Sequence, residues 1–303
     1  MQTTSHLLMI KPVRFEFNAE TAVNNSFQQY SSDDTIAEKA AMEFDQFVTV
    51  LTNAGIDVTV VQDSPEPHTP DSVFPNNWIS FHDDGTVFLY PMFAENRRLE
   101  RKPAIIEAIK QKFNVKQTID LSSFEQQQLF LEGTGSMVLD RVNKIAYACL
   151  SPRTDLTVLK TWAEKAGYTI VDFIAVDNNG LPIYHTNVMM CVADRYAVIC
   201  LEAIPDIAKQ NMVKDALMNA GKTIIPISFS QMNQFAGNML QVQNNTGNNY
   251  LVMSSQAYNS LTEAQINAIE AFNPILHSGI KTIETNGGGS ARCMMAEVFL
   301  PLK

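Results

Sequence analysis

The chain lacks several features that would each indicate a class of protein. No apolar run approaches the roughly 18 residues that a membrane-spanning helix needs, so no membrane partner is predicted. Basic residues are not in excess. The formal net charge is −10, which argues against binding to nucleic acid or to an anionic membrane surface. Residues 1–6 include no basic segment with a long apolar stretch behind it, so a secretory signal peptide is not expected.

Cysteine is also scarce, with four residues in a chain of 303. No two cysteines have the spacing of a zinc knuckle, so we predict no metal site. Cys149, Cys191 and Cys200 lie inside apolar runs, as reduced cysteines do in the core of an intracellular protein. We therefore expect a cytoplasmic protein in which these three thiols are structural.

Cys293 has a different setting from the other cysteines. Residues 286–293 read Asn-Gly-Gly-Gly-Ser-Ala-Arg-Cys, and a short apolar strand is predicted directly after them, at 296–300. Glycine accepts positive φ angles and has no Cβ, so such a run lets the backbone approach a ligand closely. Cys293 is therefore a candidate nucleophile. The alternative is a glycine-rich turn before a last strand, with the cysteine as a small buried hydrophobe.

One pattern of predicted elements recurs along the chain: a hairpin, a helix and a returning strand. Turn residues such as Asp84-Gly85 separate the hairpin strands, and Gly167 and Gly221 end two of the helices. The four predicted copies are hairpins 78–81/87–90, 135–139/145–150, 188–192/196–201 and 239–242/250–254, helices 98–113, 155–166, 205–220 and 262–272, and strands 115–119, 168–173, 223–227 and 280–283.

The two ends of the chain supply a fifth copy that is split. Residues 7–10 and 56–61 are predicted strands on either side of a helix at 34–54, and the missing hairpin partner is the strand at 296–300. Five copies predict a closed repeat architecture and a single domain covering 1–303. An ordinary irregular α/β domain is the alternative. In a ring, equivalent loops of every copy point to one central cavity.

Four polar clusters occupy one location in these copies, the loop before the first hairpin strand. They are residues 70–78, 130–136, 183–187 and 286–293. Together they supply a cysteine nucleophile (Cys293), a histidine acid or base (His185) and a carboxylate that could orient the histidine (Glu132). Each cluster alone has a structural interpretation, but four clusters at equivalent positions favour an active site.

These clusters resemble motifs of the guanidine-modifying superfamily, which has the pentein fold. The superfamily includes arginine deiminases, dimethylarginine hydrolases, succinylarginine dihydrolases and amidinotransferases. The resemblance covers nearly the whole chain and is closest to the citrulline-utilisation hydrolases. The motifs that carry it are Pro70-Asp71-Ser72-Val73-Phe74, Leu131-Glu132-Gly133, Leu150-Ser151-Pro152-Arg153-Thr154, His185-Thr186-Asn187 and residues 286–293.

The resemblance implies a fivefold pseudosymmetric β/α propeller without metal or organic cofactor. It implies that Cys293 attacks the central carbon of a guanidino group, that His185 protonates the leaving ammonia and then activates water, and that Glu132 holds the imidazole. Arg153 matches the arginine that binds the substrate carboxylate, and Asp71 matches an aspartate that contacts the amino end.

The resemblance also covers more peripheral residues. Gly288 belongs to the nucleophile loop, and Asn76 is either a further site residue or a turn cap. Arg97 and Arg98 either supplement the carboxylate site or begin a solvated helix.

Two positions depart from the deiminase pattern. Arginine deiminases hold the guanidinium with two aspartates, but the matching residues here are Asn77 and Asn187. A guanidinium has only donors, whereas an asparagine offers one acceptor and one NH₂ group, which suits the carbonyl of a ureido group. We therefore predict a site that handles a ureido group, either as substrate or as intermediate.

The predicted function is a hydrolase that cleaves C–N bonds of a guanidino or ureido group in arginine, citrulline or a derivative, through a covalent Cys293 intermediate. An amidinotransferase with the same intermediate and a non-catalytic pentein binding protein are the alternatives. Partners are limited to the small substrate and, in an oligomer, to a second copy in a homodimer.

Overall fold

The computed structural model describes residues 1–303 and contains five three-stranded sheets. In every sheet the middle strand pairs antiparallel with one neighbour and parallel with the other, which is the predicted hairpin and returning strand. The strands are β1 His6–Lys11, β2 Asp57–Gln62, β3 Ile79–Phe81, β4 Thr86–Leu89, β5 Gln117–Asp120, β6 Val138–Asp140, β7 Ile145–Cys149, β8 Thr169–Phe173, β9 Met190–Val192, β10 Tyr196–Ile199, β11 Thr223–Pro226, β12 Leu240–Gln243, β13 Asn249–Ser254, β14 Ile275–Ser278 and β15 Ala296–Glu297.

A helix connects the middle strand to the parallel strand in every unit. These five helices are α2 Ile36–Asn53, α4 Pro103–Lys112, α6 Leu156–Ala166, α7 Ile207–Asn219 and α10 Glu263–Glu270. In α6, Asp155 caps the first turn, Val158, Leu159 and Trp162 are buried along one face, and Gly167 ends the helix at φ 71°. All α-helices are α1 Ala19–Ala22, α2 Ile36–Asn53, α3 Glu95–Arg98, α4 Pro103–Lys112, α5 Gly133–Ser136, α6 Leu156–Ala166, α7 Ile207–Asn219, α8 Phe229–Met232, α9 Ser255–Ser260, α10 Glu263–Glu270 and α11 Lys281–Gly287. Short 3₁₀ turns span Pro75–Asn77, Ser122–Gln127, Thr186–Val188 and Leu201–Ala203.

The split unit forms as predicted from both ends of the chain. β1 pairs antiparallel with β15, placing Leu7 opposite Glu297, and pairs parallel with β2 along its whole length. The antiparallel edge strands of neighbouring sheets contact each other: β15 lies against β3, β6 against β9, and β9 against β12. These strands line the centre of the ring, and the connecting helices lie outside it.

The hydrophobic core lies between neighbouring units. One buried cluster joins Leu8 and Val298 of the split unit to Trp78, Ile79 and Ile109 of the next. A second joins Phe88 to Leu139 and Trp162. Each unit therefore completes its burial only against its neighbours, which is the physical reason for a closed ring. The largest cluster contains the three cysteines expected to be structural, Cys149, Cys191 and Cys200.

Three predicted elements were wrong in detail. The strand expected at 280–283 is the start of helix α11, and the parallel strand is β14, because a short apolar run has the same appearance in both states. The helix expected at 98–113 begins at Pro103, whose ring is suited to the first helical turn. Residues 133–136 form a helical turn, so the second predicted hairpin begins at β6. No helix has the length and apolar character needed to cross a membrane.

Candidate active site

Most of the predicted site residues line a small cavity in the centre of the ring. Loops that precede the first strands of three units line it, together with α3, Arg153 and a segment before α2. The lining residues are Thr21, Asn25, Asp71, Phe74, Asn77, Arg97, Arg153, Tyr184, His185, Gly287, Gly288, Gly289 and Cys293. Glu132 lies directly behind His185 and is fully buried.

His185 and Glu132 form a buried pair. The Nε2 atom of His185 lies 2.8 Å from Oε2 of Glu132, and the other carboxyl oxygen accepts the backbone N–H of Phe93 at 2.9 Å. Because the carboxylate only accepts, Nε2 carries the proton and the Nδ1 lone pair is the basic position of the neutral ring. Nδ1 faces Gly135, where a Cβ would come within 2.8 Å, so this position requires glycine.

The charge state of the pair follows from burial and from Arg153. Burial raises the pKa of Glu132, but the positive charge of Arg153, 3.5 Å away, and the His185 hydrogen bond outweigh it and lower the pKa to about 2. Burial lowers the pKa of His185 to about 4, although Glu132 opposes the shift. At neutral pH the site therefore holds an ionised glutamate and a neutral imidazole, which is a base.

The nucleophile loop begins at the end of α11. Gly288 adopts φ +65°, and a Cβ there would lie 2.5 Å from Asn25. Gly287 and Gly289 pack so closely on the ring of Phe74 that a Cβ on either would lie 2.9 Å from it. The loop then returns to Cys293, whose backbone N–H donates to the carbonyl of Ser290 at 2.9 Å. The three glycines thus fold the chain tightly and bring Cys293 to the cavity, where its side chain is 5% exposed.

Asn77 has a fixed orientation. Its Oδ1 accepts a hydrogen bond of 2.9 Å from Arg97, which also binds the carbonyl of Phe74 and both carboxyl oxygens of Glu100. A guanidinium cannot accept, so the amide oxygen must face Arg97 and the NH₂ group must face the opposite way. That Nδ2 is buried without a partner, beside Gly135 and therefore near Nδ1 of His185.

Asn187 lies against Cys293. Its Nδ2 is 3.5 Å from Sγ of Cys293, and its buried Oδ1 has no partner. Asn187 does not line the cavity that contains His185. It lines an adjoining cavity on the side of β9 and β12. The two asparagines therefore differ: Asn77 presents a free donor, and Asn187 presents a free acceptor.

Asp71 and Arg153 are both buried and both touch the segment that covers the cavity. Asp71 accepts from Asn18 and Thr21 through Oδ2, while its Oδ1 has no partner, and burial raises its pKa. Arg153 donates to Oδ1 of Asn24 at 2.8 Å and to the carbonyl of Thr21 at 2.8 Å. The predicted carboxylate-binding arginine thus has its donors engaged by residues 21–24.

Several site residues were missed by the sequence interpretation or are placed differently from it. Residues 18–28 cover the cavity and gave no motif. Asn238 contacts Cys293 and was missed. It lies in the loop before β12, which occupies the same position in its unit as the four polar clusters do in theirs. Asn76 does not line the cavity, since its amide binds Thr134 behind it. Arg97 lines the cavity, whereas Arg98 lies outside it, donating to the carbonyl of Met92.

Comparisons with known proteins agree with this arrangement. A family model described as N,N dimethylarginine dimethylhydrolase, eukaryotic, matches residues 11–300. No curated protein sequence matches the chain.

Three solved structures share the fold over nearly the whole chain. The N-terminal domain of ArgZ, an arginine dihydrolase of the ornithine-ammonia cycle in cyanobacteria, bound to substrate, has a TM-score of 0.77 and 18% identity, with 98% of each chain covered. Unliganded AgrE has a TM-score of 0.76 and 19% identity, with 98% of this chain and 40% of AgrE covered. A dimethylarginine dimethylaminohydrolase variant, as an adduct with S-methyl-L-thiocitrulline, has a TM-score of 0.67 and 15% identity, with 97% and 99% covered.

Proposed function

The chain belongs to the N,N dimethylarginine dimethylhydrolase family, and on that premise we propose that it hydrolyses arginine or a close derivative in two successive steps. Its fold is the pentein propeller, and its class is the hydrolases that act on C–N bonds of amidines. The proposal concerns the substrate, the covalent intermediate and the residue roles.

In the first step the sulfur of Cys293 attacks the guanidino carbon and ammonia leaves. Neutral His185 accepts the thiol proton at Nδ1 and passes it to the departing nitrogen, while Glu132 holds the ring through Nε2. Water then attacks the same carbon with His185 as base, the carbon–sulfur bond breaks, and a ureido product is released from the sulfur. For arginine this product is citrulline.

In the second step the ureido carbon passes through the same cycle. Sulfur adds, a second ammonia leaves, and water releases an N-carboxy amine, which loses carbon dioxide to give ornithine. The same three residues serve both steps, because each step replaces a nitrogen on a planar carbon by the oxygen of water.

The observation that carries the second step is the orientation of Asn77. Arg97 binds its oxygen, so the unpaired Nδ2 is a buried donor beside His185. A guanidinium offers no acceptor to this donor, whereas the carbonyl oxygen of a ureido group does. Asn187 lies outside this cavity and reaches the site through its Nδ2, which is 3.5 Å from Sγ of Cys293. A buried donor without a partner costs about 1–3 kcal/mol, which a ureido oxygen would recover.

The two ends of the substrate have candidate partners. The free Oδ1 of Asp71 suits an α-ammonium group, and Arg153 suits an α-carboxylate. A carboxylate at Arg153 would have to replace Asn24 and the carbonyl of Thr21, so substrate entry requires residues 21–24 to move. Gly288 contributes backbone alone, with its carbonyl held by the hydroxyl of Tyr184 at 2.8 Å.

Product analysis tests the proposal. Purified protein is incubated with L-arginine, and citrulline, ornithine and ammonia are followed with time. We expect two ammonia for each ornithine, with citrulline as a transient. Stoichiometric citrulline that is never consumed would contradict the second step. Parallel incubations with N,N-dimethylarginine, followed by dimethylamine release, and with arginine plus glycine, followed by a new guanidino product, test the dimethylhydrolase and amidinotransferase alternatives.

Asn77→Asp is the matched variant, because it keeps the shape and the oxygen but loses the donor. A carboxylate at this position favours a guanidinium and disfavours a ureido oxygen, so the ratio of citrulline to ornithine should rise at least about tenfold, the equivalent of one lost hydrogen bond. Asn76→Asp is the control, since Asn76 lies outside the cavity, and it should leave the ratio unchanged. An unchanged ratio in Asn77→Asp would remove the role we give to Asn77.

A further inference from the structure

The fifth inner loop of the ring also reaches the nucleophile. Asn238 lies directly before β12, at the position equivalent to the loops that carry Asn77, Glu132, His185 and Cys293. Its Nδ2 is 3.3 Å from Sγ of Cys293, and the residue is 1% exposed.

Gly237 makes this approach possible. A Cβ on Gly237 would lie 2.3 Å from the carbonyl oxygen of Val188, so only glycine lets the loop before β12 pack against the segment leading into β9. The same contact brings the amide of Asn238 within 3.0 Å of the carbonyl of Asn187.

The neighbours of Asn238 fix which end of its amide faces the sulfur. Its Oδ1 accepts the backbone N–H of Arg292 at 3.0 Å, and that N–H can only donate. The NH₂ group therefore donates to the carbonyl of Asn187 and lies nearer the sulfur than the oxygen does, with Nδ2 at 3.3 Å and Oδ1 at 3.7 Å from Sγ. Asn187 adds a second amide donor at 3.5 Å.

The sulfur needs such donors because the cavity offers it little positive charge. His185 is neutral at neutral pH, and the three nearby arginines are engaged elsewhere: Arg97 by Glu100 and Asn77, Arg153 by residues 21–24, and Arg292 by Glu297. A ureido substrate brings no charge either. Hydrogen bonds to an ionised group are about twice as strong as neutral ones, so an amide aimed at sulfur favours the thiolate over the thiol.

We propose that Asn238 is a catalytic residue that stabilises the thiolate of Cys293 by donating a hydrogen bond to it. The proton of the thiol goes to Nδ1 of His185, the charge left on sulfur is held by Asn238 and Asn187, and the sulfur lone pair then attacks the substrate carbon. This inference rests on the proposed function in taking Cys293 as the nucleophile.

The ionisation of Cys293 can be measured without substrate, so the test is independent of which substrate is used. Iodoacetamide is reacted with the protein from pH 5 to 10, and the rate of Cys293 alkylation is followed by mass spectrometry of its peptide. The other thiols do not interfere, since burial raises the pKa of Cys149, Cys191 and Cys200 to about 12.

In Asn238→Ala we expect the midpoint of the rate profile to rise by about one pH unit, which lowers the alkylation rate at neutral pH about tenfold. The rate at high pH should be unchanged, because the thiolate itself remains accessible. Asn238→Asp should raise the midpoint further, since it places a negatively charged carboxylate beside the sulfur. If either variant fails to fold, the midpoint of Cys293 alkylation is measured in Asn238→Ser, which also removes the amide beside Sγ.

Asn273→Asp is the control for replacing a buried amide by a carboxylate, since Asn273 is buried but binds Tyr196 and Gln241 outside the site. Its midpoint should equal that of the unaltered protein. A purely structural role for Asn238 would slow alkylation or lower stability without moving the midpoint, and an unmoved midpoint in the folded Asn238 variants would overturn the proposal. Failure of arginine turnover with a shifted midpoint would instead count against the proposed substrate alone.

Discussion

Two buried polar clusters meet at the end of the nucleophile loop, and they are satisfied to different extents. In one, Glu297 accepts from Arg292 at 2.8 Å and from Arg141 at 3.4 Å, so both of its carboxyl oxygens are used. In the other, around Cys293, three buried atoms have no partner: Oδ1 of Asp71, Nδ2 of Asn77 and Oδ1 of Asn187.

The difference separates structure from function. Buried polar groups in folded proteins are nearly always hydrogen-bonded, so unpaired ones that border a cavity indicate where a ligand can complete the bonding. Glu297 lies in β15 and joins the split sheet to β6 through Arg141, which is a structural task. The atoms at Asp71, Asn77 and Asn187 hold no element together. Variants in the two clusters should therefore show opposite effects on stability and activity.

The largest effect is expected for Cys293→Ser. Removing the nucleophile of a covalent mechanism lowers kcat by at least about 10³-fold, whereas the free energy of unfolding should change little because the side chain borders a cavity. Cys200→Ser is the matched control: it buries a hydroxyl in the core and should cost about 1–3 kcal/mol of stability while the folded protein stays active. Steady-state kinetics and urea unfolding are measured on both variants. Similar losses of kcat and of unfolding free energy in the two variants would contradict the separation of a functional from a structural cluster.

Glu297→Gln should show the reverse pattern. It leaves Arg141 and Arg292 buried without a counter-charge, which costs about 3–5 kcal/mol of folding free energy. The turnover of molecules that remain folded should be largely retained, because Glu297 touches no reacting atom. Denaturant unfolding with activity measured on the same samples tests this. A variant that is stable but inactive would mean that the cluster belongs to the active site.

The smallest effect concerns acid. The pKa of His185 is about 4 in the folded protein against an ordinary 6.5, so the unfolded chain binds the proton first. The contribution of His185 to the free energy of unfolding should be complete above pH 6.5 and be lost towards pH 4, by at most about 3 kcal/mol. Glu100 and Glu284 act in the opposite direction, because burial raises the pKa of each to about 7. Glu132, with a folded pKa of about 2 against 4.5, adds a further loss between these values.

Unfolding free energies from pH 7 to 4 measure the histidine contribution. His185→Gln should remove the loss of stability that the histidine causes between pH 6.5 and 4, while His277→Gln, at an exposed position near Tyr258, should leave the curve unchanged. A curve for His185→Gln that matches that of the unaltered protein would contradict this contribution.

The ring and the nucleophile loop were accessible from the sequence because both depend on local patterns. Glycines follow three of the five connecting helices, at Gly55, Gly167 and Gly221, and the polar loops recur at one position within the units. The one misassigned strand, at 280–283, fails for the same reason, since a short apolar run carries no period that separates helix from strand.

The rest of the site depends on contacts between distant segments. Which end of the Asn77 amide faces the cavity is decided by Arg97, and Arg97 is itself held by Glu100. The engagement of Arg153 by Asn24 joins residues with no common motif. Asn238 alone had an accessible signal, since its loop is the fifth member of the set.

The pairing of β15 with β1 has a consequence for the protein during its synthesis. Within residues 1–303, β1 is synthesised before all other strands, whereas Cys293 and β15 come after them. A nascent chain that has reached residue 280 contains all strands of four sheets. Its strand β1 still lacks the edge partner β15, and its cavity lacks the sulfur of Cys293. Catalytic competence therefore arrives only with ring closure, since a chain that stops short of Cys293 and β15 lacks the sulfur on which the proposed reaction depends.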